Sequence, residues 1–443
     1  MNFYARTLSG LVCACLGVVA VAQGCSAGSE KNEFETTMSG PGGGGGNGGA
    51  GGTGGATTAS TGDSGGFTVT VGSGGGGGNA GCVAGTPDDD FDKDGFTEKQ
   101  GDCNDCDKGV NPEAVEVIAE PENGVSPPSV DEDCDGEKDN VLLPCDDGLV
   151  INSDDPMAAV KAIGLCKFVK SAKWTLADGN PPPVDPTKLA NFHRGHGILD
   201  NLGPKNPPQE GKALLMLSSG TARKEGHPEY VHRNFDKGYV SNAPFGFPKE
   251  SPSCPNVTTK APHDATGLEI EIKAPSNAQG FSFDFNFFTF EWPQFICTNF
   301  NDFFVAIKTP FPQGQFDGNI SYDPMGNAIS VNNAFLDVCA CPANVGPGCP
   351  APPPPNNVKT FDCLLKGDTL IGTDFDVDDK FPGWTNGATG WLRTSAPVDP
   401  DATFTLRLVT YDSSDGFVDS STLIDNWRWS AKPGSVLTEQ VPK

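Results

Sequence analysis

In the C-terminal two-thirds of the chain, apolar and polar residues alternate with a period of two. Phe281, Phe283, Phe285 and Phe287 are separated by Ser282, Asp284 and Asn286, and Phe404, Leu406 and Leu408 by Thr405 and Arg407. Alternation of this kind marks strands with one buried face. Strands are predicted over 212–219, 267–274, 280–291, 302–309, 318–323, 328–338, 369–376, 388–394, 402–411 and 421–430. One short helix is predicted, where the polar run Asn152 to Asp155 and Pro156 precede Met157 to Ile163; polar caps and an early proline favour a helix start. So many strands with so little helix predict a mainly β domain over 148–432, a β-sandwich or jelly roll, followed by a tail at 433–443. The polar stretch 221–263 and the proline-rich run 350–355 read as surface excursions.

The N-terminal region has a different texture. Arg6 precedes an apolar run from Leu11 to Ala22, the layout of an export signal over 1–24, and such a run is too short to span a bilayer as a helix. It ends Ala22-Gln23-Gly24-Cys25, which resembles a bacterial lipobox and implies lipidation at Cys25. A chain anchored in this way needs more than one acyl group to stay on a membrane. Ser26 follows the cysteine, and by analogy with enteric lipoproteins this implies the outer membrane and a surface-facing protein. Of the 57 glycines, 22 fall between Gly40 and Gly81. A stretch so poor in apolar residues is expected to stay disordered, so residues 25–81 form a flexible tether with a reach on the order of 40 Å. Phe67 to Val71 could form a lone short strand.

Charge sharpens this outline. The chain carries 57 acidic and 30 basic residues, a formal −27. Residues 88–147 alone hold 21 acids and four lysines, a net −17. Nucleic acid is excluded as a partner, because phosphate contacts need clustered Lys and Arg. A folded module over 82–147 also needs a counter-charge, and the spacing of the acids supplies a place for one. Asp90, Asp92, Asp94 and Gly95 make one DxDxDG element; Asp131, Asp133, Asp135 and Gly136 make a second, with Asp139 after it. Carboxylates at loop positions 1, 3 and 5 turn inward around a hard cation, glycine at 6 allows the sharp turn, and the carbonyl at 7 adds a ligand. Position 7 is Phe96 in the first loop and Glu137 in the second, and Gly101 replaces the Glu that an EF-hand has at position 12, with Asp102 just beyond. The expected ligands are therefore Asp90, Asp92, Asp94, the Phe96 carbonyl, Asp102 and Asn104, together with Asp131, Asp133, Asp135 and Asp139. Residues 82–147 contain no His or Met, so Ca²⁺ is expected and copper is not.

Fifteen cysteines complete the picture. Cys13 and Cys15 leave with the signal and Cys25 is lipidated, so twelve remain. An even set in an exported chain favours disulfides, and the CxxC spacing of Cys103 and Cys106 is read in that light. The order Asp90–Gly95, Gly101-Asp102-Cys103-Asn104-Asp105, Asn111-Pro112-Glu113-Ala114-Val115-Glu116, Asp131–Gly136 resembles the MopE-type metal-binding motif of bacterial surface proteins. That resemblance implies a Cys103–Cys134 pair that clips the two loops together.

A second resemblance covers the large domain. Ala162–Cys166, Leu214–Gly220, Phe281–Phe304, Ile329–Asn333, Thr389–Leu392 and above all Tyr411–Ser420 with Leu423–Trp427 resemble the choice-of-anchor L domain. Together the two resemblances imply a myxobacterial-like surface lipoprotein, held to the membrane by its lipid and presenting a non-enzymatic β-sandwich for adhesion, assembly or envelope interaction. A glycan or an envelope protein is the implied ligand. As an alternative, Trp292, Trp384, Trp391, Trp427 and Trp429 could form a carbohydrate-stacking platform. As a second, a hydrolase could use Glu291, Asp302 and Asp284 as paired carboxylates, or His193 and His196 with His227, His232 or His263 on zinc. Gly195 and Gly197 speak against a helix there, and exposed loop histidines are the expectation. Asp412, Asp415, Asp419 and Asp425 either hold a cation or bond to backbone at a turn and strand end.

Overall fold

The computed structural model describes residues 85–118, 128–140, 142–333, 335–339, 363–376 and 386–441. The leader, Cys25, the glycine-rich tether with its candidate strand at 67–71, and Trp384 lie outside the described residues.

Two aspartates start the two α-helices among the described residues. Asp155 accepts a hydrogen bond from Met157 N (2.9 Å) ahead of α1 (Pro156–Ala162). Asp185 accepts from Thr187 N and Lys188 N (3.1 and 3.0 Å) ahead of α2 (Pro186–Arg194). Both helices carry proline in the first turn. The second was not expected from the sequence, although Asp185-Pro186 repeats the signal that marks the first. Gly195 does oppose helix, but as the residue that ends one: it caps α2 through its N–H on Phe192 O (2.8 Å).

The strands are β1 (Val169–Thr175), β2 (His196–Leu199), β3 (Leu214–Ser218), β4 (Pro262–Lys273), β5 (Gly280–Thr289), β6 (Phe303–Thr309), β7 (Ile329–Ser330), β8 (Val338–Cys339), β9 (Gly387–Ala388), β10 (Leu392–Pro397), β11 (Thr403–Ser413), β12 (Ser420–Ser430) and β13 (Leu437–Gln440). They form two antiparallel sheets. One runs β1-β4-β11-β6-β7, the other β13-β10-β5-β12-β3-β2, with β9 joining β5 to β8. The sheets face each other across one apolar core. Phe281, Phe283, Phe285 and Phe287 of β5 meet Leu268, Ile270 and Ile272 of β4 and Phe404, Leu406 and Leu408 of β11 in that core. Phe281 stacks on Trp427 (4.6 Å between ring centres) and on Phe404 (5.3 Å). The mainly β, sandwich-like architecture expected from the sequence is therefore present.

Five details differ, the first being that, among the described residues, the expected strand 328–338 is reduced to two short pieces, β7 at Ile329–Ser330 and β8 at Val338–Cys339. β5 is buried on both faces: the loop at 363–376 covers the C-terminal end of its outer side, where Phe375 packs on Phe288 (5.3 Å) and Phe290 (4.2 Å), and Arg393 and Asn206 bond to Asp284 and Asn286 further back. The alternation of β5 therefore separates two apolar environments, and its polar residues find partners inside. Residues 369–376 form turns in place of the expected strand. Residues 318–323 contribute only isolated bridges, Ile307 to Asn319 and Tyr322 to Ala328. The stretch read as a tail supplies β13, which extends the second sheet along β10. No helix among the described residues is long and apolar enough to cross a membrane.

Disulfides join Cys103 to Cys134, Cys145 to Cys166, Cys254 to Cys297 and Cys339 to Cys363, and Cys106 is disulfide-bonded as well.

Candidate metal centre

The two DxDxDG elements fold into the same loop. In the first, the position-1 carboxylate of Asp90 accepts from Gly95 N at position 6 (3.1 Å). Asp92 accepts from Asp94 N (3.2 Å), and Asp94 from Phe96 N (2.8 Å). In the second, Asp131 accepts from Gly136 N (3.0 Å), Asp133 from Asp135 N (3.3 Å) and Asp135 from Glu137 N (2.8 Å). Positions 4 and 6 are left-handed in both loops: Lys93 and Gly95 at φ 66° and 100°, Cys134 and Gly136 at φ 56° and 95°. Glycine is favoured at position 6 because a β-carbon disfavours that conformation. The Cys103–Cys134 disulfide ties the loops together, and Phe91 N on Asp105 (2.8 Å) and Asn111 N on Glu132 O (2.8 Å) knit the segments.

This folding brings carboxylate oxygens within 4.8 Å of one another in four groups. Two share Asp92: Asp90-Asp92-Asp94 and Asp92-Asp102-Asp105. Two share Glu116: Glu116-Asp131-Asp133 and Glu116-Glu132-Asp139. Asp102 and Asp105 are each only 3% exposed. One oxygen on each of Asp92, Asp102, Asp105 and Asp131 is buried with no hydrogen-bond partner among the described residues. Burial pushes the Asp102 carboxyl up to about 6, with Asp94, Asp92 and Asp105 adding repulsion. Burial and neighbouring acids also raise Asp92, Asp94, Glu116 and Glu132. Burial disfavours the charged form of a carboxylate, and an adjacent opposite charge restores it. These are all-oxygen donor sets of the kind that suits a hard divalent ion.

Most of the ligands expected from the sequence thus meet. Asp135 stands outside the four groups, accepting from Glu137 N and Asn140 Nδ2 (2.8 Å each). Asn104 donates its backbone N–H to Asp102 (2.8 Å). Asp105, Glu116 and Glu132 were not among the expected ligands. Asp105 and Glu116 lie outside the two loops, Asp105 closing the run after Gly101 and Glu116 ending the run that begins at Asn111, and Glu132 is position 2 of the second loop.

The acidic module is seated on the sandwich. Val115 N donates to Asn277 Oδ1 (3.0 Å), Asn277 Nδ2 donates to Val115 O (2.8 Å), and Ser276 Oγ donates to Asn111 Oδ1 (2.8 Å). Lys273 pairs with Glu113, and Lys167 with Asp133 (3.4 Å). Between the two parts lies a cleft of about 290 Å³, lined among others by Glu116 and Asp133 from the module and Phe168, Arg428 and Trp429 from the sandwich.

Polar clusters within the sandwich sort the remaining candidates. Asp284 is tied to Arg393 by two hydrogen bonds (2.7 and 2.9 Å) and to Asn426 (2.7 Å). It does not meet Glu291 or Asp302. Those two do meet: Asp302 N donates to Glu291 Oε2 (2.8 Å). Tyr411 pairs with Phe303 across β11 and β6, which sets Asp412 beside Asp302 one step further on. Glu291, Asp302 and Asp412 are at most 1% exposed. Burial and mutual repulsion hold the carboxyls of Glu291 and Asp412 well above the usual range; burial pushes Asp302 up to about 7. Asp419 and Asp425 bond to backbone instead, accepting from Phe235 N (3.0 Å) and from Gln209 N and Glu210 N (2.5 and 3.2 Å).

The histidines are not exposed loop residues as expected. His193 ends α2, His196 opens β2 and is 1% exposed, and the two rings meet at Asp154. Of the tryptophans, Trp292 and Trp427 are buried, and Trp391 and Trp429 are half-buried. Trp427 and Trp429 meet edge to face, at 77°.

A disulfide-linked antiparallel sandwich with an acidic loop module on its flank defines the class of the molecule. The family model of the choice-of-anchor L domain matches residues 187–427, and the chain belongs to this family. Family membership marks it as a cell-surface protein. The match runs from α2 to Trp427 in β12, so α1, β1 and β13 complete the sandwich from outside the matched stretch. No curated protein and no solved structure matches the chain.

Proposed function

We propose that this is a non-enzymatic cell-surface lipoprotein, anchored through Cys25 in the outer membrane, whose acidic module binds Ca²⁺. The bound ions hold the module rigid against the β-sandwich, which is presented for adhesion, assembly or contact with the envelope. One observation carries the reading: Asp92, Asp102 and Asp105 each bring a carboxylate oxygen within 4.8 Å of the others, each also has a buried oxygen with no hydrogen-bond partner among the described residues, and two of the three side chains are almost wholly buried. The second loop repeats the arrangement around Glu116, Asp131 and Asp133. Calorimetric titration of the metal-stripped mature chain with Ca²⁺ is expected to give at least two sites. Asp102→Asn should remove one and leave the loop around Asp131. A flat titration would sink the reading.

The cleft between module and sandwich favours glycan as the ligand. Phe168 and Trp429 line it beside Lys167, Arg428 and Glu210, the mixture of apolar surface and orienting polar groups found in small-molecule sites. Glu116 and Asp133 belong to both the cleft and the second group of candidate ion ligands, so binding there is expected to require Ca²⁺. On a glycan array, the wild-type chain should retain sugars in Ca²⁺ and lose them in EGTA, and Trp429→Ala should lose them in both. Retention that Trp429→Ala leaves untouched would remove the cleft from the proposal.

A further inference from the structure

The pair His193 and His196 brings two imidazole nitrogens together with a carboxylate oxygen of Asp154. His193 Nδ1 lies 3.0 Å from His196 Nε2 and 2.9 Å from Asp154 Oδ1. His196 Nε2 lies 4.0 Å from the same oxygen. An imidazole nitrogen carries either one hydrogen or one lone pair in the ring plane. If His193 Nδ1 accepts from His196, its lone pair also faces a carboxylate oxygen. If it donates to Asp154, its proton is shared with the lone pair of His196. A cation between the three atoms would take a lone pair from each. Tetrahedral zinc, bonded to nitrogen at about 2.0–2.1 Å and to oxygen at about 2.0–2.2 Å, sets its ligand atoms roughly 3.3 Å apart, and the three observed separations bracket that spacing.

The three groups are held in place by the fold. Gly195 separates the end of α2 from the start of β2, and a side chain there would collide with Thr266 and with the Lys237 amine. The His196 ring lies flat on Trp174 (3.8 Å between centres, 13° between planes), and Phe192 stands edge-on to both histidines. The Trp174 indole N–H in turn holds the Asp154 carbonyl (2.8 Å). The nearby cations are already engaged. Arg223 donates to His196 O (2.6 Å) and faces Glu229, and Lys237 is bound by Ser218 O, Asp264 O and Thr266 Oγ1. Asp154 is 65% and His193 28% exposed, so solvent reaches the side opposite His196.

We propose that Asp154, His193 and His196 form a binding site for a divalent transition metal of the zinc class, separate from the oxygen-only groups of the acidic module. Two imidazoles and one carboxylate match such an ion, and the solvent side leaves a fourth position for water or a ligand. His227, His232 and His263 do not join this group.

The metal-stripped mature chain, saturated with Ca²⁺, is titrated with Zn²⁺ by calorimetry and with Co²⁺ by visible absorption. The expected result is one equivalent of Zn²⁺ and the intense d–d bands of Co²⁺ in a four- or five-coordinate nitrogen-containing site. Asp154→Asn and His193→Ala change partly exposed side chains and should melt close to wild type. Each is expected to weaken Zn²⁺ binding by about tenfold or more, by analogy with the loss of groups that support a bound metal, and to bleach the Co²⁺ bands. Zn²⁺ binding that both variants leave unchanged, or a Co²⁺ spectrum no stronger than that of the hydrated ion, would overturn the proposal.

Discussion

Removal of Ca²⁺ from the mature chain with EGTA is expected to lower the melting temperature of the acidic module by roughly 10–30 °C for each site emptied. A ligand held at 100 to 1,000 times its dissociation constant stabilises the folded state by about 2.7–4.1 kcal/mol per site, and for a module of some 60–100 residues each kcal/mol corresponds to about 4–8 °C. The repulsion that Ca²⁺ would relieve is visible in Asp102, whose burial among Asp92, Asp94 and Asp105 pushes its carboxyl up to about 6. The change should reach beyond the loops. Asn111, Glu113 and Val115 bond to Lys273, Ser276 and Asn277 at the end of β4 and the turn after it, so loosening the module releases one edge of the sandwich. Differential scanning calorimetry should show the loss in EGTA and its recovery when Ca²⁺, but not an equal concentration of Mg²⁺, is returned. Mg²⁺ demands a smaller, nearly octahedral shell and gives up its waters reluctantly. A melt unchanged by EGTA would contradict calcium as a structural ion.

The same loops show why part of the site was legible in the sequence. Carboxylates at positions 1, 3 and 5 and glycine at 6 are dictated by local backbone geometry, so Asp90–Gly95 and Asp131–Gly136 announce themselves. Asp105 and Glu116 reach the clusters through tertiary folding, and nothing in their own spacing says so. The sandwich follows the same rule. Period-two alternation exposed β5 and β11, whose inner faces make the core. It marks β5 as half-buried, because the groups that cover its outer face, Phe375, Arg393 and Asn206, come from far away in sequence. The strand β1 and the helix α2 were overlooked for a different reason. Lys170, Ser171 and Lys173 leave β1 with a largely exposed face at the edge of its sheet, and α2 buries only Phe192, so neither carries a strong apolar pattern. Asp185-Pro186 was the usable signal for α2. The meeting of Asp154, His193 and His196 depends on the turn at Gly195 and the packing of Trp174, neither of which spacing alone can give.

Asp412→Asn is expected to stabilise the protein at pH 8 and to have a smaller effect near pH 4.5. Asp412 lies in β11 between His263 of β4 and Asp302 beyond β6. Glu291 and Asp415 add negative charge, and Asp419 lies near Asp302. Ser219 and Ser420 offer hydroxyls to Asp302, and His263 acts on Asp415. The sign follows from burial. Asp302 is held at about 7 against an ordinary 3.8, and Glu291 and Asp412 are also raised. The folded state therefore keeps protons that the unfolded chain has already released. Below the unfolded value both states are protonated and the cluster costs little. As pH rises from about 4 to about 7, stability falls, and above the folded value the loss is complete. For a single carboxyl held near 7 that loss is on the order of 4 kcal/mol. Asparagine at position 412 removes one of the repelling charges and gives Asp302 a neutral donor, which should recover roughly 1–3 kcal/mol at pH 8, or about 2–12 °C. Melting is to be followed for both proteins across pH 4.5–8 in saturating Ca²⁺, which keeps the module loops charged and bound throughout. The difference between variant and wild type isolates the cluster from the other acids of the chain. A variant that melts below wild type at pH 8 would mean that Asp412 is needed there as an anion, and the charge-burial account of this cluster would fall.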